Sequence, residues 1–232
     1  MVLPRYLAQT ATEIAGNPLS DNLAYLACHF SSGGKGLSNL PDTLPPGAML
    51  ILDDSTPMDG HDSDVILKQL SAEIERHRCA ALLLDFQRPD HPHQIALARL
   101  LCTSLPCPVG VSEPYGKGLN CPVFLAPAPP DQTLSQYLAS RQNREVWLEM
   151  ALDGITLTLT EGGCSIEALQ DFPEEGLTAE KLHCHYTIET RDDAAIFRLW
   201  RTKRDLDRLL DEAKSLGVAK AIGLWQELGR SH

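Results

Sequence analysis

Short apolar runs recur along the chain, and this feature constrains the fold more than any other. Each run ends in polar residues and is followed by a turn signal. Most runs are almost continuously apolar rather than alternating, which is typical of parallel strands covered by helices on both faces. There are eight such runs: 23–30, 48–54, 80–87, 107–113, 121–127, 145–151, 182–189 and 219–228.

Helix patterns separate several of these runs. Asp62 precedes a stripe of apolar residues and is expected to cap a helix that ends before Arg78. His91-Pro92 opens a second helix, because proline is tolerated in the first turn. Thr202 to Asp205 is a capping box, and the apolar stripe after it stops at Gly217. Strands that alternate with helices indicate an α/β fold.

Eight strands in 232 residues leave about 29 residues per unit, near the lower limit for a (β/α)8 barrel of ~250 residues. We therefore predict a compact, irregular TIM barrel in one domain, 1–232, with some helices missing. Asp153-Gly154 is a strong turn signal, so a β-hairpin insertion is expected at 153–170, after strand 6. An open doubly wound sheet is the alternative, but no glycine-rich strand-to-helix loop supports it.

Charge and cysteine spacing restrict the partners and the compartment. The net charge of −11 argues against nucleic acid and anionic membranes. No uncharged apolar run approaches ~18 residues, and the start of the chain lacks a cationic segment followed by an apolar block, so we expect neither a membrane span nor a secretory signal. Seven cysteines without a CxxC pair indicate reduced thiols, and hence a cytoplasmic protein. The sequence indicates no cofactor and leaves the oligomeric state open.

Polar residues end seven of the eight runs. In parallel α/β folds the carboxyl ends of the strands meet at one face, so these residues are expected to share a cleft. Strand alternation puts Asp85 and Gln87 on the same side as Leu83, facing the barrel mouth. The residues at the run ends are His29; Asp53 and Asp54; Asp85 and Gln87; Glu113 and Tyr115; Glu149; His183, His185 and Tyr186; and Trp225, Gln226 and Glu227.

The third run resembles a known motif. Ala-Leu-Leu-Leu-Asp85-Phe-Gln87 is similar to the strand motif of family 18 glycoside hydrolases, the chitinase-like barrels, which reads Gly-hydrophobic-Asp-hydrophobic-Asp-aromatic-Glu. The last run, with Trp225 and Glu227, resembles the final strand of that family, where the tryptophan forms the floor of the sugar site. The resemblance covers about 40 residues and implies a carbohydrate, or another polyhydroxylated small molecule, as the ligand.

The chain departs from that motif in three ways. Gln87 stands where the family has its general acid, and an amide cannot deliver a proton to a leaving oxygen. Leu83 replaces the first aspartate, so only Asp85 remains to orient an acetamido group. The run is also the third strand by our count, whereas the family carries its motif on the fourth. The resemblance therefore implies a sugar-shaped cleft in a degenerate barrel more than it implies a chitinase.

Other carboxylates could replace the missing acid, so hydrolysis stays open. Glu149 and Glu227 are the acid/base candidates beside Asp85, and crowding with Glu113 in an apolar mouth would raise at least one pKa. Ion pairing of Glu149 or Glu227 with arginine is the structural alternative. Tyr115, Tyr186 and Trp225 are expected to bind the ligand with Gln87 and Glu113, because sugars stack on aromatic rings.

A metal-dependent hydrolase is the second hypothesis. His183 and His185 lie two residues apart, so on a strand they share a face. With Asp53, Asp85 or Glu149 they could bind a divalent metal ion. The alternative is that one histidine bonds across the barrel while the other packs against a helix.

Overall fold

The computed structural model describes residues 3–16, 20, 22–88, 91–141, 143–191 and 193–229. Eight parallel strands form a closed barrel, because the first strand pairs with both the last and the second. These strands are β1 (Arg5–Gln9), β2 (Leu23–Phe30), β4 (Met49–Asp53), β5 (Ala81–Asp85), β6 (Val109–Ser112), β7 (Val123–Leu125), β8 (Val146–Met150) and β14 (Lys220–Leu224). The short β3 (Leu37–Ser38) adds to β2 in antiparallel orientation. The predicted TIM barrel is confirmed.

Strand β1 corrects the strand count made from the sequence. Its five residues include Arg5 and Gln9, so the segment lacks the continuous apolar character of the other strands. Tyr6 and Ala8 nevertheless belong to the cluster that fills the barrel interior. Because β1 comes first, the strand that ends at Asp85 is the fourth of the barrel, the position at which the glycoside hydrolase motif is expected.

The run at 182–189 is not a barrel strand, which also corrects the count. It forms β12 (Cys184–Arg191) in a second, five-stranded antiparallel sheet inserted between β8 and α5. The other strands of this insert sheet are β9 (Gly154–Thr160), β10 (Gly163–Ala168), β11 (Leu177–Ala179) and β13 (Ala194–Trp200). The expected hairpin is present as β9 and β10, but it follows the seventh barrel strand rather than the sixth and is part of this larger sheet.

The helices at 63–77, 92–104 and 203–215 begin where the capping signals predict. The described helices are α1 (Ala11–Gly16), α2 (Ser63–His77), α3 (Pro92–Ser104), α4 (Leu134–Leu138), α5 (Lys203–Ser215) and α6 (Trp225–Leu228). The Asp62 carboxylate accepts a hydrogen bond from the Asp64 amide at the start of α2. Thr202 and Asp205 form a capping box at the start of α5. Within the described residues, no full helix follows several of the barrel strands, so the barrel is irregular, as predicted.

The seven cysteines are all free thiols. Burial raises the pKa of Cys28 to about 12 and that of Cys79 to about 11. A hydrogen bond from the Cys102 thiol, with a further contribution from the Arg144 guanidinium, lowers the pKa of Cys121 to about 7. Cys121 therefore ionises most readily of these three thiols. None of the described helices combines the length and apolarity that crossing a bilayer requires.

Trp147 fills the barrel interior and depends on a glycine in a neighbouring part of the sheet. Its side chain is fully buried, and a Cβ added to Gly110 on β6 would lie inside the indole ring. We expect Gly110→Ala to lower the free energy of unfolding by about 1–3 kcal/mol, because a packed core resists added volume. Urea denaturation would measure the loss. Gly33→Ala, where a Cβ meets nothing within 4 Å, is the control, and equal losses in the two variants would contradict the prediction.

Candidate functional site

Four polar side chains point into the barrel mouth from four different strands: Asp53, Asp85, Ser112 and Glu149. Each comes two residues after a position that faces the barrel interior, so alternation turns it inward. Asp53 and Asp85 are directly paired across β4 and β5. Residues nearly 100 positions apart in the sequence therefore meet at the carboxyl face, as the run ends predicted.

Asp85 is held by two side chains. The Gln87 amide and the Ser112 hydroxyl, the latter at 3.4 Å, both donate to its Oδ1 atom. Burial raises the pKa of Asp85, and the nearby carboxylates of Asp53 and Asp54 raise it further, while the bonds from Gln87 and Ser112 oppose the rise. The bond partners are side chains rather than loop amides, so Asp85 is fixed in orientation at the base of the mouth.

Glu149 is the carboxyl group whose pKa the site changes most clearly. Burial raises its pKa to about 7, and the charges of Asp85, Glu227 and Asp153 add to the rise. A group with this pKa exists in both protonation states near neutral pH, which suits a proton donor or acceptor. In the described part of the chain, neither Glu149 nor Glu227 forms an ion pair with arginine.

A cleft of about 270 Å³ opens at the mouth, and of the four inward groups Ser112 and Glu149 line it. Aromatic rings and polar side chains line it together, which is a surface that can stack on a sugar ring and bond its hydroxyls. Of the predicted site residues, Gln87, Glu113 and Glu149 line the cleft. The lining residues are Phe86, Gln87, Ser112, Glu113, Pro114, Phe124, Ala126, Tyr137 and Glu149.

Sequence reasoning missed three of these lining residues: Ser112, Phe124 and Tyr137. Ser112 ends its strand one residue before the polar Glu113, so its position at a strand end was a usable signal. Phe124 lies on a strand that offered only proline and alanine at its end. Tyr137 lies on α4 and donates a 3.0 Å hydrogen bond to the Ala126 carbonyl. Its apolar helical spacing gave no sign that it faces the mouth.

Asp54 shapes the loop that carries Gln87. Its carboxylate is 3% exposed and accepts 3.0 Å hydrogen bonds from the Gln87 amide, the Arg88 amide and the Gln94 side chain. Asp54 therefore positions the loop after β5 and does not face the ligand. Its adjacency to Asp53 could have signalled one inward and one outward side chain, since successive residues on a strand alternate.

Two predicted ligand residues at the start of the loop after β6 have different surroundings. Tyr115 is 2% exposed, and its hydroxyl donates to the Gln94 side chain at 2.7 Å and to the Arg88 carbonyl. Tyr115 lies beneath the cleft and supports the loop after β5, which carries Arg88, from below. Glu113 is exposed at the rim, where Arg141 donates to both of its carboxylate oxygens at 2.7 and 2.8 Å.

The remaining predicted residues come from later segments and do not line the cleft. Trp225 begins α6, and its ring packs over Gly229, where an added Cβ would meet it. Glu227 accepts a 2.9 Å hydrogen bond from the Leu152 amide, and its charge acts on Glu149 from that position. Tyr186 lies on β12 of the insert sheet. Glu227 thus borders the site, while Tyr186 belongs to the insert.

The histidines of the metal hypothesis also lie in the insert. His183 Nε2 lies 2.6 Å from a Glu212 carboxylate oxygen, and His185 Nδ1 lies 2.9 Å from an Asp205 oxygen. Each is therefore engaged with a carboxylate of α5 rather than with the barrel mouth. Over the described ranges, no three His, Cys, Asp or Glu side chains cluster in a way that could hold a metal ion.

No protein-family model and no curated protein matches this sequence. Solved structures match over nearly the whole chain. The chitinase of Chromobacterium violaceum has a TM-score of 0.57 at 10% identity and covers 98% of this chain and 95% of its own. Spore cortex-lytic enzyme SleL of Bacillus megaterium has a TM-score of 0.56 at 11% identity, over 99% of this chain and 71% of its own.

A third structure carries a ligand. The GH18 chitinase of Cycas revoluta, in a variant with a glycine-to-tryptophan and a glutamate-to-glutamine substitution, was solved in complex with (GlcNAc)4. It has a TM-score of 0.58 at 12% identity and covers 95% of this chain and 94% of its own. At such identities the likeness shows the fold, so this chain has a GH18-like TIM-barrel fold.

Proposed function

We propose that the barrel mouth binds an N-acetylated amino-sugar oligosaccharide without cleaving it. The observation that carries this proposal is the convergence of Gln87, which Asp85 holds in place, and Glu149 on a cleft that Phe124 and Tyr137 also line. The fold is that of chitinases, and one of them binds (GlcNAc)4. The motif strand also occupies the fourth barrel position.

The polar groups of the cleft suit recognition. One amide hydrogen of Gln87 is committed to Asp85, which leaves its carbonyl oxygen and second amide hydrogen for sugar hydroxyl or acetamido groups. Phe124 and Tyr137 contribute aromatic ring atoms to the lining of the cleft, and the Arg141 guanidinium covers one face of the Tyr137 ring. Because pairing fixes Asp85 in place, little side-chain entropy is lost when a ligand binds.

The same groups argue against the usual cleavage. Hydrolysis of a glycosidic bond needs a carboxylic acid that protonates the leaving oxygen. Gln87 occupies the position at which the resemblance places that acid, and its amide has no proton to give. Glu149 has a suitable pKa, but it lies on the seventh barrel strand rather than beside Asp85 on the fourth.

Calorimetric titration of the purified chain with (GlcNAc)4 at pH 7 tests the proposal. We expect saturable binding with a dissociation constant on the order of 0.1 mM or below. Asp85→Asn is expected to weaken binding about 10-fold, because it removes the charged acceptor that holds the Gln87 amide in place. Asn120→Ala, in a cavity that precedes β7 at the opposite end of the barrel, is the matched control and should leave the affinity unchanged.

Two outcomes would overturn this proposal. Absence of heat and of chemical-shift changes at about 10 mM (GlcNAc)4 would contradict binding. Shorter oligosaccharides in the mass spectrum of the same samples would contradict the lack of cleavage. If that turnover were then lost in Glu149→Gln and kept in Gln87→Ala, Glu149 would be the acid.

A further inference from the structure

The insert sheet has one face that is apolar across four strands. Directly opposed residues of antiparallel strands lie on the same face, and Ile166, Leu157, Phe197 and Ile188 are opposed in one continuous row across β10, β9, β13 and β12. Leu159 lies on the same face, two residues after Leu157 on β9. Leu177 on β11 also lies on this face, because it is opposed to Tyr186, which comes two residues before Ile188 on β12. We call these six side chains the apolar sheet face.

The opposite face of the same sheet has the composition of a solvated surface. It carries Thr156, Thr158 and Thr187, together with an ion-paired cluster of Glu189, Arg191 and Arg198. Polar and apolar residues therefore alternate along β9, β10 and β12, while β13 also places Ile196 and Trp200 on this opposite face. This alternation is typical of an antiparallel sheet with one face in water and the other face covered.

In the described parts of the chain, four of the six side chains of the apolar sheet face are exposed, and Leu157 and Phe197 are half-buried. Leu159 is 41% exposed, Ile166 55%, Ile188 51% and Leu177 62%. Among the described residues, the three core clusters include none of the six side chains. Only the base of the sheet is closed: Cys184 is fully buried, and its thiol donates to the Pro130 carbonyl. An exposed apolar patch of this extent marks an interaction surface.

We propose that the apolar sheet face is a dimer interface, at which a second copy of this chain packs its own sheet face. A flat face is self-complementary under a two-fold axis, and two such sheets can stack about 10 Å apart. Strand spacing and rise give the four long strands a face of roughly 20 by 20 Å. The protruding side chains expose a larger surface area than this flat outline. Pairing two faces therefore buries on the order of 1,000 Å² in total, which is the least that a specific interface requires.

The chemistry of the face favours a protein over a sugar. Its side chains are aliphatic apart from Phe197, whereas sugar binding needs hydrogen-bonding groups as well as rings. Depletion of charge is typical of the centre of homodimer interfaces. Because each copy carries a net charge of −11, two copies repel at long range. The dimer is therefore expected to tighten as added salt screens that repulsion.

Sedimentation velocity on the full chain tests the dimer. We expect the 25.5 kDa chain to sediment as a dimer at micromolar concentration, with dissociation on dilution and in low salt. Ile188→Lys places a charge on the apolar sheet face, at a residue that is 51% exposed, and should weaken association at least about 10-fold. Thr187→Lys, on the next residue of the same strand but the opposite face, is the matched control and should still form the dimer.

The outcomes are separable from those of the sugar proposal, because the assay needs no ligand. A wild-type protein that stays monomeric at about 100 µM in 0.5 M salt would overturn the dimer, and so would a folded Ile188→Lys variant that associates as tightly as Thr187→Lys. Circular dichroism checks that both variants fold. Should Ile188→Lys fail to fold, Leu177→Lys on β11 makes the same test at the margin of the face.

Discussion

Replacing Glu149 with glutamine is expected to stabilise the protein at pH 8.5 and to have little effect at pH 4. Burial and neighbouring carboxylates raise the pKa of Glu149 from 4.5 to about 7. Between these two values the unfolded chain gives up the proton while the folded protein keeps it, so stability falls as the pH rises through that window. Above pH 7 the ionised carboxylate costs up to about 3 kcal/mol.

Glutamine keeps the shape of the side chain and never ionises. The variant should therefore unfold at a temperature roughly 6 °C or more above the wild type at pH 8.5, with the difference closing as the pH falls to 4. Differential scanning calorimetry at both pH values measures this. Glu113→Gln is the control, because it breaks a rim ion pair with Arg141 and should lower stability slightly instead. A shift from Glu149→Gln that is independent of pH would disprove the assignment.

Replacing Arg201 with methionine is expected to cost about 3–5 kcal/mol of unfolding free energy, the usual loss when a buried ion pair keeps one partner. Arg201 is 2% exposed and donates to the Asp153 carboxylate at 3.0 Å. It also donates to the carbonyls of Ala128 and Pro129. This side chain thus joins the end of the insert sheet to the loops that follow the sixth and seventh barrel strands.

The unfolding free energy lost in Arg201→Met should also depend on pH and should be smaller at low pH. Burial raises the pKa of Asp153, and Arg201 opposes that rise. Without the guanidinium, Asp153 would take up a proton more readily, so acid would relieve the unpaired charge and reduce the destabilisation. Urea denaturation at pH 5 and pH 8 would show the larger loss at pH 8.

Two further variants test whether the loss comes from the Arg201–Asp153 ion pair or from removing any arginine. Adding Asp153→Asn to Arg201→Met should recover part of the loss, because no unpaired charge then remains. Arg198→Met removes a more exposed arginine that pairs with Glu189 and should cost no more than about 1 kcal/mol. A similar loss in Arg198→Met and Arg201→Met would contradict the anchoring role of Arg201.

Most elements of the fold could be predicted from local sequence patterns. The continuous apolar run before Asp85 predicted a parallel strand, and Asp62 and Thr202 predicted the starts of α2 and α5. Strand β1 was missed because Arg5 and the fully buried Gln9 at its two ends interrupt the apolar character of this five-residue segment. Conversely, the run at 182–189 contains enough apolar residues to imitate a barrel strand. Local patterns do not report which sheet a strand joins.

The residues of the candidate site also fall into two groups: those that local sequence patterns could place and those that only the packing of distant segments placed. Alternation along β5 was enough to place Asp85 beside Leu83 on the inward side. The burial of Tyr115 against the loop after β5 and α3, and the position of Tyr186 in the insert, depend on how distant segments pack. The lining residues Phe124 and Tyr137 were missed for that reason, since their spacing alone resembles ordinary core.

By itself, the sequence determined the class of this protein: helices alternating with parallel strands, an inward Asp85, and glutamine where a chitinase-like motif has its acid. These features follow from periodicity, capping and side-chain chemistry, which act between near neighbours in the chain. Tertiary structure alone decided the rest. Closure of the barrel brings Gln87 and Glu149 to one cleft, and burial together with the charge of Asp85 raises the pKa of Glu149, because burial and charge proximity depend on segments far apart in sequence.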